Sequence, residues 1–182
     1  GSPNDPRMGG QPNRETGRPD DLIAALIGDW WCAPFCYLYR AEAVAEIEWW
    51  EQLSCLQDLD FILKVLMKGN DLAYQPGVSG HYRLHTGQIT NNSPLTYARN
   101  RFKILAQVES TLRTTDQMNP QRSRALAERY AEIARVHALA DPKSFEECRI
   151  RMKSLEPNWR APKKGSMTIR VLTRILGIRG SE

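Results

Sequence analysis

Two short runs hold the residues that could do chemistry. The first is Leu56-Gln57-Asp58-Leu59-Asp60-Phe61-Ile62; the second is His81-Tyr82-Arg83-Leu84-His85-Thr86-Gly87. The first puts carboxylates at the start of an apolar helical stretch, where a helix dipole stabilises them. Asp58 and Asp60 are two residues apart, about 200° around a helix, so only one can face a given cleft. The second run alternates His81, Arg83 and His85, which places all three on one face of a strand. Cationic and titratable groups crowded this way repel one another unless an anion or metal lies among them. An acid beside a cationic patch suits a proton acceptor working next to a bound anion. Structural acids at helix starts nevertheless outnumber catalytic ones. An exposed strand face with solvated side chains explains the second run equally well. Trp49 and Trp50 lie just upstream, and flat indole rings suit sugar faces as well as cores and interfaces.

Other elements must position these groups. Asp20-Asp21 lead into Leu22, Ile23, Leu26 and Ile27, a short helical pattern closed by Gly28. Residues 30–39 are rich in aromatic and small apolar types and predict a strand bulged at Pro34. Residues 41–47 predict a short helix and 48–55 a loop. Ser54 and Gln57 have capping-box spacing, and Leu59, Ile62, Leu63 and Leu66 follow at helical period, ended by Gly69-Asn70. Residues 71–75 and 78–84 predict two short strands around Pro76-Gly77.

Beyond Asn92 the pattern becomes wholly helical. Leu95, Ala98, Phe102, Leu105, Val108 and Leu112 form one stripe. After Pro120 come Leu126, Tyr130, Ile133, Ala134 and His137; after Pro142 come Phe145, Cys148, Met152 and Leu155. These stripes can pack as helical hairpins. The expected fold is therefore an α/β portion followed by an all-α portion. The division is a loop or disordered segment over 1–21, an α/β part over 22–92, a helical extension over 93–160 and a basic amphipathic tail over 161–182.

The chain has 182 residues, 41% of them hydrophobic, and a formal charge of +4. Five of its basic residues lie in 163–179, which holds no acid. Without them 20 basic residues face 21 acidic ones. That balance argues against a general nucleic-acid surface. The four cysteines match no zinc or redox spacing. No apolar run approaches the ~20 residues of a membrane span. The tail from 166 to 178 is a candidate helix with a broad apolar arc and arginines beside it. It fits a peripheral membrane helix and a docking helix equally.

The order of these motifs resembles the second half of the family 2 glycosyltransferases with the GT-A fold. The residues that carry the likeness are Gln57-Asp58-Leu59-Asp60, a helix closing at Lys68-Gly69-Asn70, Ala73-Tyr74-Gln75-Pro76-Gly77, and Tyr82-Arg83-Leu84-His85-Thr86-Gly87. Leu38-Tyr39-Arg40 stands where that family has the strand before its acceptor loop. The resemblance implies the C-terminal part of a GT-A sheet with a helical hairpin region appended. It implies an inverting enzyme that moves a sugar from a nucleotide-sugar donor to a saccharide or lipid-linked acceptor, in surface polysaccharide synthesis, in the cytoplasm or at the inner membrane face. Asp58 would be the general base, and His85 would sit at a divalent metal, Mg²⁺ or Mn²⁺. Arg83 would support the leaving group, while Trp49, Trp50, Gln57 and Asp60 would line the substrate side. The family's nucleotide-binding half and its metal-holding Asp-x-Asp motif are absent from this sequence, so the chain alone would be inactive. Two rivals stand beside this reading. One is a non-catalytic helical interaction module. The other is a metal hydrolase using His81, His85 and Asp58, although four-residue spacing on a strand does not converge on one ion.

Overall fold

A computed structural model describes residues 17–30, 33–75 and 93–159. Six α-helices lie among them: α1 Leu22–Ile27, α2 Ala41–Val44, α3 Gln57–Met67, α4 Pro94–Thr114, α5 Pro120–His137 and α6 Pro142–Leu155. A single 3-10 turn occupies Pro34–Cys36.

The three long helices begin alike. Ser93, Asn119 and Asp141 each cap a helix whose first residue is proline, accepting the N–H of Thr96, Arg122 and Ser144 respectively. Proline has no N–H to satisfy there and its φ already suits a helix. The apolar stripes read from the sequence then turn inward. Leu105, Val108 and Leu112 of α4 are buried. So are Leu126, Tyr130, Ile133 and Ala134 of α5, and Cys148, Met152 and Leu155 of α6. Helix α5 packs on α4, α6 and α1; α1 also meets α3, and α3 meets α4. One hydrophobic core therefore joins Leu22 of α1 to Leu155 of α6 and takes in Leu59, Ile62, Leu63 and Leu66 of α3.

Polar links hold the same joints. Asp21 caps α1 through the Ala24 N–H at 2.9 Å. Its other oxygen accepts from Asn119 Nδ2 at 2.9 Å and Arg122 Nε at 2.8 Å, tying α1 to the start of α5. Burial alone would raise this carboxyl, but those three hydrogen bonds outweigh it and hold the group below its ordinary value. Across α4, α5 and α6, Glu109 accepts from the Tyr130 hydroxyl at 2.9 Å and from Arg151 at 3.1 Å.

The α/β expectation is overturned, and with it the resemblance to a GT-A fragment: the described residues are helical and contain no β-strand. The physical reason lies in the two segments read as strands. In 30–39, Pro34 starts a 3-10 turn, and Leu38 beyond it is fully exposed. The backbone at Tyr37 and Arg40 is extended, but extended backbone becomes sheet only when a neighbour completes the ladder. The segment 71–75 meets the first at the Trp30 and Tyr74 rings, 6.4 Å apart. The second strand of that hairpin, 78–84, lies outside the described residues, as do the N-terminal 16 residues and the tail helix.

Candidate functional site

Asp58 occupies the first turn of α3, and the local fold there departs from a simple capping box. Leu56, not Ser54, is the residue before the helix, and no side chain caps it. Leu56 adopts a left-handed backbone, φ 68° and ψ 17°, which costs a non-glycine residue about 1 kcal/mol. Ser54 is drawn away by α4. The Asn100 carboxamide oxygen accepts from the Ser54 N–H and Cys55 N–H at 3.2 Å and from Ser54 Oγ at 2.8 Å. Gln57 turns back to donate to the Leu53 carbonyl at 2.6 Å. Gln57 therefore fastens the loop that leads into the helix.

The two carboxylates part as the helical geometry requires. Asp58 is half-buried and lies close enough to Tyr39 for its charge to act on the phenol. Asp60 points inward, 2% exposed, with Lys64 Nζ 2.6 Å from its Oδ2. Burial raises the Asp60 carboxyl above its usual value and Lys64 only partly offsets that. Tyr39 is likewise pushed up, by burial first and then by the Asp58 charge.

Phe61 lies three residues after Asp58, on the same side of α3. It is the middle of an aromatic series. Its ring meets Tyr39 edge-on at 5.5 Å and Trp49 at 5.5 Å, and Tyr39 in turn meets Tyr37 at 6.0 Å. Trp49 remains half exposed. Trp50 is half-buried beneath the Lys64 ammonium, 5.7 Å from the ring centre. Lys64 also donates to the Glu48 carbonyl at 3.2 Å, and Lys68 to the Glu46 carbonyl at 3.2 Å. The two lysines thereby hold the tryptophan loop against α3.

The site residues read from the sequence thus have different fates. Asp58, Trp49 and Gln57 gather at the start of α3. Asp60, in the same turn, is sealed on the core side, and Trp50 lies beneath Lys64. Arg83 and His85 lie outside the described residues, as does His81. Lys64, Phe61 and Tyr39 were missed. The first has a sequence signal, since it follows Asp60 by four residues, the spacing of a helical ion pair. The contact of Tyr39 with Phe61 spans 22 positions and has no local signature.

Asp58 and Asp60 have the spelling of a metal-holding pair, but Asp60 is already engaged by Lys64 and directed into the core. Among the described residues no group of three or more histidine, cysteine or acidic side chains could hold a metal. Among them, too, no helix is long and apolar enough to cross a membrane. No protein-family profile, no curated protein and no solved structure matches the chain.

Proposed function

We propose that the start of α3 is the acceptor side of a sugar-transfer site, with Asp58 as the base that takes the proton from an acceptor hydroxyl. The single observation that carries this reading is the juxtaposition of a half-buried carboxylate with a partly exposed aromatic surface on one side of one helix. Aromatic rings stack on the apolar faces of sugars, and a carboxylate beside them is placed to accept a hydroxyl proton as the oxygen attacks. The reading asks nothing of the GT-A fold. Its donor in this proposal is a nucleotide-sugar. No step is routed through a metal. The left-handed Leu56 adds support, because backbone strain concentrates where function over-determines geometry.

Trp49→Ala tests the acceptor surface. Tryptophan fluorescence of the unaltered chain should respond to titration with neutral oligosaccharides such as cello- or malto-oligosaccharides. Apparent affinity should fall about tenfold on removing one stacked ring, equivalent to about 1.4 kcal/mol. An affinity unchanged by the substitution would remove Trp49 from the site.

A second reading, a helical interaction module, draws on the exposed Leu139 and Ile150 of the α5–α6 hairpin. It predicts no response to any saccharide, and the same titration separates the two.

A further inference from the structure

His137, the last residue of α5, is wholly buried, yet neither ring nitrogen has a hydrogen-bond partner among the described residues. One of those nitrogens always carries a proton, so the ring leaves at least one donor unsatisfied, which a folded chain rarely tolerates without a use for it. Its surroundings are specific. The nearest charge is Asp141, whose Oδ2 lies 3.9 Å from Nδ1, beyond hydrogen-bond reach. That carboxylate already has work to do. Its Oδ1 caps α6 by accepting the Ser144 N–H at 3.1 Å, and its Oδ2 accepts the Ser144 hydroxyl at 2.8 Å. Arg99 of α4 faces the same oxygen at 3.6 Å. Cys148 of α6, also buried, has its thiol pushed up to about 12, by burial first and then by acidic neighbours, so it stays neutral and offers no counter-charge. The backbone of His137 is itself the hinge: its carbonyl accepts the N–H of Ala140 at 3.1 Å and of Asp141 at 2.9 Å.

We propose that His137 is a pH-sensitive latch on the α5–α6 hairpin, closed while the imidazole is neutral and opened at the α6 end when it is protonated. A protonated ring cannot stay sealed without a partner. The only carboxylate facing it from α6 is Asp141, and reaching that group means competing with Arg99 and with the Ser144 cap. Either the ring leaves the core for water, or Asp141 leaves its cap; both loosen the first turn of α6.

The sign follows from the environment. Burial, reinforced by Arg99 and opposed by Asp141, holds the folded imidazole below its ordinary 6.5. Such a group leaves the closed form at full strength above the unfolded value. It weakens that form as pH falls below 6.5, because only the open form then takes up the proton. Between pH 7.5 and 5.5 the open-to-closed ratio should rise, by up to about tenfold, the limit reached when only the open form takes up the proton.

Hydrogen–deuterium exchange on the full chain, corrected for the intrinsic pH dependence of exchange, reads this directly. Opening across 142–155 should increase between pH 7.5 and 5.5 in the unaltered protein, by up to about tenfold. His137→Gln should abolish the increase. Asp141→Asn keeps a cap for α6 but removes the only carboxylate facing the ring from that helix, so the increase should grow. Should the glutamine variant fold poorly, the ring proton shifts of the unaltered chain decide: a His137 midpoint below 6.5 supports the latch. A midpoint at or above 6.5, opening independent of pH in the unaltered protein, or an increase that persists in His137→Gln would overturn it.

Discussion

Asp58 and Asp60 share a helix turn and a side-chain type but not an environment. Asp58 keeps contact with solvent beside Tyr39, whereas Asp60 is enclosed and held by Lys64. The enclosed pair makes an unsymmetrical prediction. Because Asp60 grips its proton more tightly in the fold than in the unfolded chain, ionising it weakens the fold as pH rises through the shifted value. Asp60→Asn removes that cost and should change stability at neutral pH by less than about 1 kcal/mol. Lys64→Met leaves the buried carboxylate unpaired and should cost about 3 kcal/mol, near the low end for a stranded interior charge. Denaturant titration of the two variants measures both. At this scale the sequence was legible where helical spacing decides: the divergence of the two acids follows from their two-residue separation alone. The retreat of Trp50 behind Lys64 was not legible, because it depends on how a loop folds back onto a helix.

At the scale of elements, the helices were the readable part. Cap, proline and apolar period are all local signals, and Ser93-Pro94, Asn119-Pro120 and Asp141-Pro142 each start a helix where they stand. The caps are not equal, however. Ser93 satisfies one backbone N–H, while Asn119 also donates to the Asp21 carboxylate and so joins α5 to α1. Asn119→Ala should therefore cost about 2 kcal/mol and Ser93→Ala about 1 kcal/mol, the difference being the lost cross-helix bond. Equal losses in thermal unfolding would show that the Asn119–Asp21 link contributes nothing. The strand readings failed for a physical reason of the opposite kind. The richness of 30–39 in aromatic and small apolar residues describes a segment able to pair, but pairing is a property of two segments. The capping-box reading of Ser54 failed in the same way: Asn100, 46 positions distant, claims the Ser54 hydroxyl.

At the scale of the molecule, the change of sequence style near Asn92 does not interrupt the core, since α1 and α3 contribute to the same apolar cluster as α4, α5 and α6. Unfolding should accordingly be a single transition, with helical circular dichroism and tryptophan fluorescence giving coincident midpoints. Four of the five tryptophans, Trp30, Trp31, Trp49 and Trp50, belong to the first part and only Trp159 follows α6, while the long helices dominate the dichroism, so separated midpoints would mean that the two parts fold independently. The same core fixes the orientation of α3, and that orientation decides which acid meets solvent. The most direct test of the proposed chemistry is acceptor-dependent sugar transfer from a panel of nucleotide-sugars, assayed in the protein as its own gene encodes it, with Asp58→Asn and Asp60→Asn side by side. The account predicts that Asp58→Asn lowers turnover by at least about a hundredfold, the usual scale for loss of a general base, with its fold and donor affinity intact, while Asp60→Asn keeps most of its turnover. Undiminished transfer by a folded Asp58→Asn protein would contradict it.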